Sequence, residues 1–554
     1  MALALGWLLP NHYPPWFAFH TEVWIAWCLM LGAWLVLFLM PGPVRLQRSV
    51  VWACGIACIP GLQFLLSLLP FAGQGWLTSA YLMGFALAMV VGSHAETSRP
   101  SVGLDMLLGA IGIAAIASVG LQMYQWLELA ADGLGLWILV VPNARPFANL
   151  GQPNQLATLL MWGLLAIAWS HQRGAIRGQV AFAAGVYLLF GVALTQSRTA
   201  LVAVFGLLLA GWYWRSLLPS KAYLRSLVAL AALYLCSVLT LPWLSEVMGL
   251  ASDAGMAARS GQELRLPAYR LFLDAVGQSP WLGYGWAPTA AAQMAVADRH
   301  DSLGQIFMHS HNLFLDLVLW CGVPVGGLIS ALLVAWFFQK FRRIDTLQDA
   351  ILLAFVAVVA WHAMLEFPLH YAYMLLPLGV VAGALNTRLA EPVWMLVPRW
   401  QVGAALIAAA CLLGGITRDY LRVEENFLVL RFERAKIGPK QDDPMASVWL
   451  LDHMNDFVRM GRTPARPGLT PKELAWMEHA TQAFPSQANL FTYASALAMN
   501  HQHEKARLLV NKLARIGTPE EYAQMKRVWQ AQARSDASLA AVAWPDLPAP
   551  SPKP

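Results

Sequence analysis

Apolar runs long enough to cross, or nearly cross, a lipid bilayer recur about twelve times between residues 16 and 416, and they decide what this chain can fold into. They cover roughly 16–40, 50–69, 76–93, 103–127, 155–170, 178–195, 199–214, 225–241, 310–339, 349–366, 371–387 and 402–416. A backbone in hydrocarbon must satisfy its own hydrogen bonds, so each run is expected to be a helix. Composition agrees. The chain is 58% hydrophobic and 12% charged, against about 25% charged residues in soluble domains. Segment 1–10 reads as an interfacial turn or as half of an additional span.

The net charge is +6. It is not arranged as a basic face interleaved with aromatics, which excludes nucleic-acid binding as the main role. The cysteines are Cys28, Cys54, Cys58, Cys236, Cys321 and Cys411. All lie in apolar segments, so no disulfide framework is expected. Met1 to Pro10 lacks a basic n-region, so no cleavable signal peptide is expected.

Basic residues give an orientation. Arg45 with Arg48, Arg99, Arg173 with Arg177, Arg215 with Lys221 and Arg225, Lys340 with Arg342 and Arg343, and Arg388 with Arg399 occupy every second loop. Those loops are expected in the cytoplasm. The others, 70–75, 128–154, 195–198, the large 242–309 loop and 366–370, then face the periplasm of a bacterial inner membrane, as does everything after Ile416.

Residues 417–554 are polar with helical periodicity. Amphipathic helices are predicted near 418–437, 446–460, 471–484, 488–499, 503–516 and 519–534. Tyr493, Ala496, Leu497, Ala506 and Leu509 have the spacing of one tetratricopeptide-type hairpin. The Pro-rich tail at 545–554 is expected to be disordered. The predicted fold is therefore all-α: a polytopic bundle of about twelve spans over 1–416 and a soluble helical, tetratricopeptide-like domain over 417–554.

Ionisable and amide residues at membrane depth are functional candidates. Arg198 lies in the short 195–198 loop. Arg145, Asn149, Gln152, Asn154 and Gln155 surround Gly151-Gln152-Pro153-Asn154-Gln155. Arg265 and Arg270 precede Pro280-Trp281-Leu282-Gly283-Tyr284-Gly285. His309, His311 and Asn312 open the ninth run, and Glu366 and His370 flank the turn after the tenth. All fall on the expected non-cytoplasmic side. A histidine can take a proton from a weak hydroxyl nucleophile near neutral pH, and guanidinium groups bind phosphate oxygens bidentately. That combination suits a lipid-linked diphosphate donor and an alcohol acceptor. If His309 and His311 are helical, only one can face the site. Plainer roles compete: headgroup anchoring for Arg198, capping for the histidines, turn formation around Pro153 and a structural pair for Glu366 and His370. His-x-His lacks neighbouring ligands to complete a metal site, so no metal is expected.

His311-Asn312, nine further residues and Gly322 together resemble the signature of the bacterial O-antigen ligase superfamily. Gly151-Gln152-Pro153-Asn154-Gln155-Leu156-Ala157 resembles the hallmark of its protein-glycosylating branch, the PglL-type O-oligosaccharyltransferases. Ser197-Arg198-Thr199-Ala200, Arg265 ahead of Pro280-x-x-Gly283-x-Gly285, and Glu366-Phe367-Pro368-Leu369 are similar to further parts of the pattern.

The resemblance implies metal-independent glycosyl transfer at the periplasmic face from an undecaprenyl-diphosphate oligosaccharide to Ser or Thr of a pilin-like protein. By position, His311 would be the base or acceptor-orienting residue, and Arg198 and Arg265 would bind the diphosphate. His309, Asn312, Asn149, Gln152, Asn154, Arg270, Glu366 and His370 are candidate substrate-binding or supporting residues. The rival readings are ligation to lipid A-core, glycan polymerisation and, outside enzymology, a lipid-linked-sugar transporter. A transporter would place its polar groups near the midplane of a repeated fold.

Overall fold

The computed structural model describes residues 1–129, 134–141, 145–250, 264–438 and 447–545. Of the expected features, the tail beyond Pro545 and part of the 242–309 loop lie outside the described residues.

In chain order the helices begin with α1 Ala2–Gly6, α2 Phe19–Leu39, α3 Arg48–Ala57, α4 Ile59–Leu65, α5 Ala72–Ser98, α6 Val102–Trp126, α7 Pro153–Gln172, α8 Gly178–Leu194, α9 Arg198–Tyr213 and α10 Lys221–Val247. Then come α11 Arg265–Gln278, α12 Thr289–Ala295, α13 Leu313–Phe341, α14 Leu347–Ala363, α15 Ala372–Arg388 and α16 Arg399–Arg434. The last are α17 Asp452–Arg462, α18 Pro471–Ala483, α19 Gln487–Met499, α20 His503–Ile516, α21 Pro519–Ala533 and α22 Ala537–Ala540. Each apolar run is thus largely helical, and the second is divided at Cys58 between α3 and α4. Among the described residues, 7 helices are long and apolar enough to cross a membrane: α2, α3 with α4, α5, α6, α10, α13 and α16. α8, α9 and α14 are shorter apolar helices.

Three features stand beside these expectations. The chain is not purely helical: β1 Val44–Gln47 pairs antiparallel with β2 Val393–Val397, Val44 facing Val397. Each strand begins just after a proline, Pro43 or Pro392, which cannot continue a helix. The expected domain boundary at 416 falls inside α16, because no breaker separates Ile416 from the amphipathic sequence that follows. Residues 1–10 contain a five-residue helix that folds back, with Trp24 Nε1 donating to the Ala2 carbonyl at 2.8 Å.

The chain divides into two compact units. The first comprises Met1–Ile56, Tyr81–Glu263 and Leu333–Leu413. Its core is built by α6, α7, α8 and α14 around Ile111, Val119, Leu160, Trp162, Val192 and Phe355. Along α7, Asn154, Thr158 and Trp162 recur at i, i+4 and i+8, and each meets α14 or the turn after it. Asn154 Nδ2 donates to Glu366 Oε1 at 3.3 Å, Thr158 Oγ1 lies 2.7 Å from His362 Nδ1, and Trp162 stacks on Phe355 at 4.0 Å. One helical stripe therefore changes from apolar to polar toward the α7 N-terminus.

In the same unit, Arg388 pairs with Asp349 and, at 3.0 Å, with Glu96. Lys340 pairs with Glu391, both fully enclosed. These ion pairs involve the loops that carry the basic residues.

The second unit comprises Ala57–Ala80, Leu264–Leu332 and Gly414–Pro554. Gln63 on α4 donates to the Trp320 carbonyl and accepts from Trp286 N, both at 2.8 Å. Thr470–Glu473 and Thr518–Glu521 form capping boxes at the starts of α18 and α21. α19 and α20 make a helical hairpin closed by Leu497, Ala506 and Val510.

Candidate active site

The first group of candidate residues sits on the first unit. Gln152 caps α7, its Oε1 accepting from Gln155 N at 2.7 Å, and Pro153 takes the first helical position, where no N–H is needed. Asn149 is 1% exposed and its amide is committed to backbone. Nδ2 donates to the Leu8 and Trp137 carbonyls at 2.7 and 2.8 Å, and Oδ1 accepts from Leu139 N at 3.1 Å. Asn149 thereby ties the N-terminal segment to the loop before α7. Asn154 and Glu366 meet as described, joining two motifs 212 residues apart.

Arg198 is the exposed first residue of α9. The turn before it is built by its neighbours: Gln196 adopts φ 49, and Ser197 Oγ accepts from Ala200 N at 3.2 Å. Arg145 donates from Nε and Nη2 to the Thr195 carbonyl at 3.1 and 3.0 Å, which buttresses the turn that presents Arg198. His370 ends a short 3-10 turn, with Phe367 edge-on at 6.2 Å. Burial lowers its pKa to about 4, so its imidazole is neutral at physiological pH.

The second group belongs to the second unit. Arg265 begins α11 and is half-buried, while Arg270 is exposed. His311 is not helical, so the condition under which only one of His309 and His311 could face the site does not arise. Its φ is 61, in the left-handed region, and α13 starts only at Leu313. The cause is Asn312, which acts as the helix cap: Oδ1 accepts from Leu315 N at 3.1 Å. Ser310 N donates to Asp316 Oδ1 at 2.8 Å and closes the same turn. Tyr269 on α11 donates its hydroxyl to the His311 carbonyl at 3.3 Å, and Phe307 lies edge-on to the imidazole at 6.2 Å. Arg265 and His311 are therefore mounted on one framework, with Arg265 and Tyr269 one turn apart on α11. His309 is half-buried on the approach to this turn.

The Pro280-x-x-Gly283-x-Gly285 segment docks on a kink of α13 at Gly322, where φ is 75 and ψ 167. Tyr284 N and Gly285 N donate to the Leu319 and Trp320 carbonyls at 2.8 and 3.1 Å, and Val323 N donates to the Pro280 carbonyl at 2.7 Å. A Cβ on Gly322 would overlap the Trp281 carbonyl, and one on Gly283 would overlap that of Leu319. Two separate sequence signatures are thus one backbone joint.

Three family models match in order along the chain: a protein glycosylation ligase model over residues 146–170, an O-antigen ligase model over 183–330 and a model described as virulence factor membrane-bound polymerase, C-terminal, over 350–532. A general O-oligosaccharyltransferase of Acinetobacter baylyi is 30% identical over 530 residues, 93% of this chain and 91% of that protein. The chain belongs to the bacterial O-oligosaccharyltransferase family. A ComP-specific O-oligosaccharyltransferase of the same organism is 29% identical over 248 residues, 44% of this chain and 45% of its own. This member of the family is a membrane glycosyltransferase, and the transporter reading is set aside.

Sequence reading passed over several polar residues of this O-oligosaccharyltransferase. Glu22, 3% exposed in the first turn of α2, accepts from Tyr81 OH and from Trp16 Nε1, the latter at 3.3 Å. An acidic residue opening an apolar run was a visible signal. His12 Nε2 lies 2.7 Å from the Asn149 carbonyl, and burial lowers its pKa. Nothing in its local sequence marks that contact, which spans 137 residues.

Proposed function

We propose that this chain transfers an oligosaccharide from an undecaprenyl-diphosphate carrier to Ser or Thr hydroxyls of periplasmic proteins such as pilin. His311 takes the proton from the acceptor hydroxyl. The hydroxyl oxygen forms a bond to the anomeric carbon as the bond from that carbon to the diphosphate oxygen breaks, with inversion. The leaving undecaprenyl diphosphate carries the displaced electron pair, and Arg198 and Arg265 bind its charge. No metal has a part in this scheme.

The observation that supports the reading best is the placement of His311. It stands outside the helix in a left-handed turn, with its carbonyl held by Tyr269 and its ring against Phe307, on the framework that also carries Arg265. A residue held in so sparse a backbone region by its surroundings is consistent with a pre-organised group. Asn149, Gln152 and Arg145 act as supports, since their polar atoms are engaged in shaping the turns. In this reading Asn154, Glu366 and Arg270 contact sugar or diphosphate.

The test supplies the lipid-linked donor with a periplasmic pilin and an intact lipid A-core, in a strain lacking other ligases. Glycan on pilin Ser, lost in His311→Ala at unchanged protein level, supports the reading. Glycan on lipid A-core, or longer chains still on the carrier, moves the protein to ligation or polymerisation, the activities named in two of the matched models.

A further inference from the structure

The segment that leads into His311 rests on the C-terminal helices. Ala297 packs with Leu490 of α19 and Leu513 and Ile516 of α20, all 2% exposed or less, and Met294 and Ile306 extend the contact. Ser302 Oγ donates to the Gly517 carbonyl, just past α20, at 2.7 Å. Between this seat and His311 the chain is held by the side chain of Gln293. Gln293 of α12 is 2% exposed. Its Nε2 donates to the Gln305 carbonyl at 2.9 Å and its Oε1 accepts from Phe307 N at 2.8 Å. Phe307 in turn lies edge-on to His311 at 6.2 Å and to Phe272 of α11 at 6.0 Å. α12 is itself fixed to α13, since Trp320 Nε1 donates to Thr289 Oγ1 at 2.9 Å.

We propose that Gln293 is a positioning residue for His311, and that α19 and α20 are the seat of the loop that delivers this histidine. The C-terminal domain then governs transfer to every acceptor rather than only recruiting large ones. This rests on His311 as the base. A buried amide with both ends engaged holds two segments in one geometry, and leaving either partner unmet is costly. A misplacement of about 1 Å at a reacting group costs on the order of 100-fold in rate.

The experiment uses the full chain with two acceptors, a whole pilin and a short Ser-containing peptide that offers little surface to the helical domain. In Gln293→Ala and Phe307→Leu, kcat is expected to fall about 10- to 100-fold for both acceptors, with KM within about twofold. If Gln293→Ala does not accumulate, Gln293→Glu carries the test: it keeps the acceptor for Phe307 N and loses the donor to Gln305. A loss confined to the pilin and expressed in KM would overturn the proposal, as would unchanged rates beside an inactive His311→Ala. An active His311→Ala would instead remove the base reading, and the positioning role with it.

Discussion

Asn154 Nδ2 donates to Glu366 Oε1 at 3.3 Å, one helical turn beyond the Thr158–His362 contact. The Gln-Pro-Asn-Gln and Glu-Phe-Pro-Leu motifs therefore meet where the start of α7 faces the turn after α14. Asn154→Asp would set a second carboxylate against Glu366, a like-charge pair in a sheltered place. Transfer is expected to fall about tenfold and to recover in part with Glu366→Gln, because coupled neighbours show interaction energies of about 0.5–3 kcal/mol. A double-mutant cycle on initial rates checks this. Additive losses would contradict the coupling.

The joint between Gly283 and Gly322 has no room for a methyl group on either partner. Gly322→Ala also forces an L-residue into a φ of 75. Each alanine variant is expected to cost about 3 kcal/mol through overlap and strain. The check is folded protein in detergent, measured by monodisperse yield and Tm. A wild-type Tm in Gly322→Ala would contradict the description of the kink.

His370 gives the protein a pH dependence whose sign is fixed. Burial holds its folded pKa at about 4, below the usual 6.5 of a histidine. Below about pH 6.5 the unfolded chain takes up a proton that the folded chain does not. Stability from this group is complete above that value, falls as pH drops toward about 4 and levels off below it. The loss between about pH 7 and about pH 5 is on the order of 1–2 kcal/mol. Tm should fall over that range, and by less in His370→Gln; equal falls would refute the assignment. His12, whose pKa burial also lowers, adds in the same direction.

Lys340 and Glu391 form an enclosed pair, with Ser49 N donating to Glu391 Oε1 at 2.8 Å. Removing one partner leaves a buried charge, so Lys340→Met alone is expected to cost about 3–5 kcal/mol. Adding Glu391→Gln should restore part of that. Membrane-level protein and Tm of the single and double variants decide the matter, and a neutral Lys340→Met would count against the pair.

Much of this was legible in the chain. Apolar runs announce helices because lipid leaves the backbone no other partner, and Thr470 or Thr518 three residues before Glu473 or Glu521 announces a helix start. Arg198 and Arg265 were visible as charges beside apolar sequence. What escaped was set by distant contacts. His311 looked helical because its neighbours are, yet the cap at Asn312 and the bond from Tyr269 place it outside the helix. Asn149 looked like a ligand residue, and its partners at Leu8 and Trp137 could be found only in three dimensions. The pairing of β1 with β2 joins segments whose local composition carries no mark of each other.

The central claim is best tested with purified protein, an undecaprenyl-diphosphate oligosaccharide and a Ser-bearing pilin, following the acceptor by mass spectrometry. The account predicts glycan on the Ser hydroxyl with inverted anomeric configuration, and none with His311→Ala at equal protein. Transfer by His311→Ala, or glycan linked with retention, would contradict it.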